Sequence, residues 1–163
     1  LEKDGVSVHL GPDYLDHLEG QDVIFRTLGM RPDLPQLSAA VEQGSLLTSE
    51  MEVFFQLCPC PIIGITGSDG KTTTTTIVAE LLKAEGYHVH LGGNIGKPLL
   101  PDIASIKPED LAVVELSSFQ LMTMRSSPHI SIITNLAPNH LDVHRSMEEY
   151  IEAKKNIFLH QYP

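Results

Sequence analysis

Basic residues are scarce in this chain. Eleven lysines and arginines stand against 21 aspartates and glutamates, a net charge of -10 over 163 residues. That balance argues against a nucleic-acid-binding surface, which needs a basic footprint. An anionic ligand would have to be held by local donors and metal rather than by the field of the whole molecule. Long hydrophobic runs are missing as well. None is long enough to span a bilayer, and no signal-peptide pattern is present, so neither a membrane nor a nucleic acid is an expected partner. Cysteine is limited to Cys58 and Cys60, which flank Pro59. One intervening residue suits neither a CxxC redox pair nor a zinc pattern, and reduced thiols in a cytoplasmic protein are expected. There is no internal repeat, and no low-complexity tract beyond Thr72–Thr76. An initiating methionine is also lacking. The chain begins in mid-pattern at Leu1-Glu2-Lys3, so a preceding segment is expected.

What is present is a globular, core-forming composition, 42% apolar. Short apolar runs alternate with helical patterns, as in a parallel α/β sheet. Strands are predicted near Val6–Leu10, Asp22–Arg26, Ile62–Thr66, Val89–Leu91, Leu111–Glu115 and Ile130–Thr134. Helices are predicted over Leu34–Gln43, Ser49–Leu57, Lys71–Glu85 and Ser146–Leu159. Several of the strands are too apolar to have a wet face, which implies helices on both sides. The prolines of Cys58-Pro59-Cys60-Pro61 fit neither a helix interior nor a central strand. They suggest a boundary between a first piece, 1–58, and a second, 59–163.

The strongest chemical signal is Gly67-Ser68-Asp69-Gly70-Lys71-Thr72, directly after the apolar strand ending at Thr66. A buried strand running into a glycine turn, and then into a helix opened by lysine and threonine, is the layout of a phosphate-binding loop. The first glycine of the usual G-x-x-x-x-G-K-[ST] pattern would fall at Ile65, so this is a shorter form; the alternative is a plain strand-to-helix turn. The threonine run disfavours helix on propensity, yet the helix must follow the lysine. Glu115 ends an apolar strand, where α/β sheets bind ligands; it is placed either to hold magnesium or to pair with a lysine. His140 and His144, with Asp142 between them, read as a zinc pair, as surface histidines, or as a source of one ligand to a second magnesium. On the last helix Lys154 falls in the apolar stripe Met147, Tyr150, Ile151, Ile157, Phe158. Such a lysine is costly unless its amine snorkels to water or is paired or chemically changed. Asn94, within Gly92-Gly93-Asn94-Ile95-Gly96, reads as a turn.

Taken together these segments resemble the Mur ligases, the ATP-dependent amino-acid ligases of peptidoglycan precursor synthesis. Thr66–Thr73 is similar to that family's T-G-[ST]-N-G-K-[ST]-T. Gly92–Gly96 and Glu115-Leu116-Ser117-Ser118-Phe119-Gln120-Leu121 resemble its D-glutamate-adding type. Thr134–Asp142 and Tyr150–Phe158 resemble its histidine segment and the helix bearing its modified lysine. The resemblance implies a partial Rossmann-like uridine-nucleotide-binding piece, 1–58, followed by the first part of a P-loop NTPase-like central domain, 59–163. It implies ATP held by Gly67, Ser68, Asp69, Gly70, Lys71, Thr72 and Thr73. It implies two magnesium ions, one on Thr72 and Glu115, the other on His140 and a carbamylated Lys154. Lys71, His140 and Lys154 would be catalytic. Asn94, Ser117 and Gln120 would touch UDP-N-acetylmuramoyl-L-alanine, D-glutamate would be the second substrate, and the protein would be monomeric. Asp69 departs from the family's asparagine, Asn139 from its acid, Val143 from its arginine and Leu28 from its proline. A P-loop kinase or NTPase and a non-catalytic nucleotide-binding module are the competing readings. The 163-residue chain by itself is not expected to be a competent ligase.

Overall fold

A computed structural model describes residues 2–138 and 144–161. These fall into two compact units, one through Ser49 and the other from Glu50. The break therefore lies ahead of the proline-rich segment expected to mark it. Helix α2 (Glu50–Leu57) belongs to the second unit because Met51 and Phe54 are buried in that unit's core with Ile62, Val114 and Leu116. The prolines still end α2 and delay the next strand until Ile62.

In the first unit, strands β1 (Val23–Phe25) and β2 (Leu46–Thr48) pair in parallel, Ile24 opposite Leu47. Helix α1 (Pro35–Glu42) buries Leu37 and Ala40 against Ile24. Its proline sits in the first turn, where no helical N–H is needed. The strand predicted at Val6–Leu10 is absent. Those residues are exposed, Leu10 at 86%, and alternation makes a strand only where a neighbour supplies ladder partners. β2 is too short to show a period in sequence.

The second unit contains β3 (Ile62–Thr66), α3 (Lys71–Ala84), β4 (Val89–Gly93), β5 (Leu111–Glu115), α4 (Ser118–Leu121), β6 (Ile130–Ile133) and α5 (Met147–Lys155). Its four strands are parallel, in the order β4-β5-β3-β6. Every residue of central β3 is buried. Ile62 points into the layer with Phe54, Leu121 and Ile157, while Ile63 and Ile65 meet Ala79 and Val113 on the other face. Fully burying each such side chain is worth about 2 kcal/mol. Helices on both faces bear out the α/β class read from the apolar strands.

Two helices show detail beyond their predicted bounds. α3 buries Thr75 and Ala79, with Val78 and Leu82 beside them, whereas Ile77 and Leu81 are exposed. Its threonine run is accommodated by back-bonding: Thr75 and Thr76 hydroxyls donate to the carbonyls of Lys71 and Thr72, both at 2.8 Å. α5 stops at Lys155 rather than Leu159. The N–H groups of Asn156, Ile157 and Phe158 donate three residues back rather than four, while the Asn156 and Ile157 carbonyls accept from Ser127 and Ser131 hydroxyls and the Asn156 amide donates to the Leu121 carbonyl. β3 and β5 end side by side, Ile65 opposite Glu115. The chemistry-bearing residues collect above that edge.

Candidate functional site

The loop after β3 is shaped by its contact with the end of β6. Gly67 has φ +151, and a Cβ there would stand 1.9 Å from Thr134 Oγ1 and 3.2 Å from the Asn135 nitrogen. A glycine is needed for the chain to pass. Asn135 and Thr134 then clamp the loop. Ser68 N–H donates to the Asn135 carbonyl and Asp69 N–H to Asn135 Oδ1, both at 3.0 Å. The Asp69 carbonyl accepts from Thr134 Oγ1 at 2.6 Å and from the Asn135 amide at 3.1 Å. Asp69 thus contributes frame through its backbone while its side chain is exposed, and Ser68 adds its hydroxyl, which donates to the Ala137 carbonyl and accepts from the Ala137 N–H, both at 2.8 Å. Gly70 caps α3 in the left-handed region, φ 76. The first-turn N–H groups, through Thr73, have no partner within the helix and present its positive end to the cleft. Lys71 folds back, donating from Nζ to the Ser68 carbonyl at 2.9 Å.

Across the loop lies the Glu115 carboxylate, 1% exposed. Its Oε2 accepts from Thr72 Oγ1 and its Oε1 from the Asn94 amide, both at 2.8 Å. Its partners are therefore a hydroxyl and an amide rather than a lysine. Asn94 is locked twice, since its backbone N–H also donates to the Glu115 carbonyl at 2.8 Å. The preceding Gly93, φ +101, permits this approach; a Cβ there would lie 2.3 Å from the Glu115 oxygen. The turn expected around Asn94 is thus a device that holds the carboxylate. A buried carboxylate touching a threonine hydroxyl at a helix N-terminus is an all-oxygen set, which fits a hard cation such as magnesium.

Lys154 comes in from α5. It is 2% exposed, and its Nζ donates to Thr66 Oγ1 and to the Gly67 carbonyl, both at 3.0 Å. The amine does not snorkel. It is aimed at the phosphate loop, 4.7 Å above the Tyr150 ring. Burial, and secondarily the nearby Lys71 charge, lower its pKa to about 8. Tyr150 OH in turn lies 3.0 Å from Ser68 Oγ, so α5 reaches the loop through two side chains one turn apart. Burial raises the Tyr150 hydroxyl's pKa, keeping it a neutral hydrogen-bonding partner.

His144 is a core residue, 1% exposed, rather than a surface one. Its Nε2 lies 2.9 Å from Ser118 Oγ and its ring stacks on Phe119. His140, with Asn139, Asp142 and Val143, lies outside the described residues. Ser117 and Gln120 form the capping box of α4: Gln120 N–H donates to Ser117 Oγ, and Gln120 Oε1 accepts from Ser117 N–H. A cleft of about 150 Å³ lined by Gly67, Lys71, Asn94, Ser117, Tyr150 and Lys154 joins these parts. It is smaller than a typical small-molecule pocket of roughly 300–1,000 Å³. Gln120 is buried beneath Ser117 and does not line the cleft. In the first unit the Arg26–Met30 turn is closed by the Arg26 guanidinium, which donates to the Met30 carbonyl.

Several residues at the site fell inside the family-like segments of the sequence but were given no role there. Thr66, Asn135 and Tyr150 carry the contacts that join β3, β6 and α5 around the loop. A threonine or asparagine at a strand end, and a tyrosine within a helix stripe, have no signature of their own.

A family model described as the Mur ligase middle domain matches residues 65–163. The chain is 60% identical over 156 residues to the UDP-N-acetylmuramoylalanine–D-glutamate ligase of Acetivibrio thermocellus, covering 96% of this chain and 34% of that protein. It is also 60% identical over 161 residues to the ligase of the same name from Clostridium botulinum, covering 99% and 35% respectively. The chain thus spans about a third of the length of these relatives. Among solved structures, the MurF ligase from Thermotoga maritima in complex with ADP superposes with a TM-score of 0.53 at 19% identity, over 90% of this chain and 42% of that one. The UDP-N-acetylmuramate:L-alanyl-gamma-D-glutamyl-meso-diaminopimelate ligase from Neisseria meningitides gives a TM-score of 0.56 at 16% identity, over 86% and 49%. At these identities the two structures speak for the fold alone. The match over residues 65–163 places this chain in the Mur ligase family.

Proposed function

We propose that the protein carrying this chain joins D-glutamate to UDP-N-acetylmuramoyl-L-alanine at the expense of ATP, in the cytoplasm and as a monomer. The identity of 60% to ligases of that name supports the substrate assignment. The observation that carries the mechanism is that Lys154 and the loop at Gly67 line one small cleft with Asn94, whose amide holds the Glu115 carboxylate that accepts from Thr72. The first unit would be part of a Rossmann-like domain for the uridine nucleotide, and the second would hold ATP.

The reaction has two steps. A carboxylate oxygen of the alanyl group attacks the γ-phosphorus of ATP, and the bond to the β-phosphate oxygen breaks, leaving ADP and an acyl phosphate. The amine of D-glutamate then attacks the acyl carbon; phosphate leaves with the bonding pair, the amine loses a proton, and an amide remains. The α3 N-terminus and Lys71 would cradle the phosphates, Lys71 swinging from the Ser68 carbonyl to a phosphoryl oxygen. Thr72 and Glu115 would hold magnesium, with Asn94 keeping Glu115 in place. Magnesium bound there neutralises charge on the phosphoryl oxygens. Ser117, at the lip of the cleft, would face the muramoyl substrate, with Gln120 fixing it from below. His140 and Lys154 would serve a second magnesium.

Lys154 would work as a carbamate. A neutral amine adds to CO2, forming an N–C bond and releasing one proton, and so becomes an anion. Its lowered pKa supports this: at pH 8 about half of such amines are neutral, against well under one in a hundred for an ordinary lysine.

The deciding experiment supplies ATP, magnesium, UDP-N-acetylmuramoyl-L-alanine and D-glutamate to the complete protein and follows phosphate release and amide formation. Release that depends on both acceptor substrates is expected. Nucleotide binding without turnover would instead assign a non-catalytic module.

A further inference from the structure

At the opposite, amino-terminal end of the same sheet stands a cluster for which the ligase reaction has no use. His88 and His90 sit two residues apart at the start of β4, so their side chains share one face. His90 pairs with Ala112 of β5. Carrying that parallel register back two residues sets Asp110 beside His88 on the same face. The three side chains converge accordingly: Asp110 Oδ1 lies 3.2 Å from His88 Nδ1, and Asp110 Oδ2 lies 2.8 Å from His90 Nε2. The three ligand atoms fall within 4.8 Å of one another, and the two rings meet edge to face, 4.7 Å between centroids.

We propose that His88, His90 and Asp110 form a binding site for a zinc-class divalent transition metal that staples edge strand β4 to β5. Two imidazole nitrogens and one carboxylate oxygen are the donor set such ions take, with a fourth position left to water. The two spacings run to different oxygens of the carboxylate, so an ion held by one of them would draw the three donors from within 4.8 Å to the little over 3 Å that tetrahedral bonds of about 2.0–2.1 Å impose. Magnesium and calcium, which want oxygen ligands, are poorly served by this set. The carboxylate is oriented in advance, since Asp110 Oδ2 also accepts from the Lys107 N–H at 2.9 Å; supporting bonds of this kind are what fix a metal-binding carboxylate. Entry is open: the Asp110 side chain is 4% exposed and that of His90 13%, but that of His88 is 71% exposed. Without metal, the ring N–H groups of the histidines can occupy the same carboxylate, and the ion would replace those protons. Neither cysteine belongs to the cluster: the donor atoms that converge are those of His88, His90 and Asp110. The site lies the length of β5, about 17 Å, from Glu115, so it would affect stability rather than the reaction.

Titration of the complete protein with zinc chloride in metal-free buffer, read by calorimetry and by cobalt absorption in the visible range, tests this. One equivalent of zinc and a tetrahedral cobalt spectrum are expected. His88→Ala and Asp110→Asn should each weaken that equivalent at least about tenfold. His9 and His17, whose rings stack at 3.9 Å in the first unit, are the control, and His9→Ala/His17→Ala should leave the equivalent intact. Exposed His88 can be replaced without disturbing the core, so its variant remains readable should Asp110→Asn fold poorly. Unchanged zinc binding by His88→Ala, or its loss in the His9/His17 variant, would overturn the proposal. Because the readout is bound metal, the outcome is independent of the ligase reading.

Discussion

Lys154 is the residue whose physics says most. A buried amine whose pKa has fallen from 10.5 to about 8 holds fewer protons in the folded chain than in the unfolded one between those two values. Folding stability should therefore rise with pH across that window and be flat below it. Urea midpoints measured from pH 7 to 10 in CO2-free buffer should climb for the native residue and lose that slope in Lys154→Met. Adding carbon-13 bicarbonate should give a carbamate carbonyl resonance that is missing in the same variant; an unmodified Lys154 in the active enzyme would remove the carbamate from the mechanism. Asp69 poses a simpler electrostatic question. Its carboxylate is exposed beside the loop, while its backbone does the structural work. Asp69→Asn should thus leave stability nearly unchanged and tighten ATP binding by about two- to fivefold at low salt, the gain fading as salt screens it. Titration calorimetry at two ionic strengths checks both halves.

Among the elements, the junction of the phosphate loop with β6 is the tightest fit. Gly67→Ala must move Thr134 or Asn135, and it also strains a φ of +151. A loss of about 2–4 kcal/mol in urea denaturation is expected. Adding Thr134→Ala should restore only part of it, because the backbone strain stays; full restoration would mean the clash alone mattered. The elements with a strong period or punctuation were legible in sequence. β3 and β5 were predicted with the bounds they have, and α3 was announced by glycine, lysine and threonine. Elements without local signal were not: three-residue β2 and four-residue α4 gave no period to read. The alternation at Val6–Leu10 was a false one, because an extended segment becomes a strand only through a partner. The end of α5 was misplaced because the chain tightens there: the N–H groups of Asn156, Ile157 and Phe158 donate three residues back, to the carbonyls of Ala153, Lys154 and Lys155.

For the whole molecule, the 163-residue chain covers about a third of its relatives' length. It is expected to release no D-glutamate-dependent phosphate from ATP by itself, whereas the complete protein should; robust release by the short chain would show that the described site suffices. The net charge of -10 over these 163 residues also means that ATP binding by this chain should fall sharply when magnesium is chelated, since no positive field of the chain replaces the ion. The α/β class, the parallel strands, the phosphate loop and the family resemblance were determined by the sequence alone, because they rest on local patterns: apolar runs, glycine turns and spaced motifs. Tertiary structure decided what those motifs touch. It set Lys154 on Gly67, Asn94 on Glu115, Asn135 under the loop, and His88 and His90 on Asp110. Each of these contacts joins residues far apart in the chain. Strand order and register bring them together, and a lysine buried on a helix stripe looks the same in sequence whether it meets water, an acid or a phosphate loop.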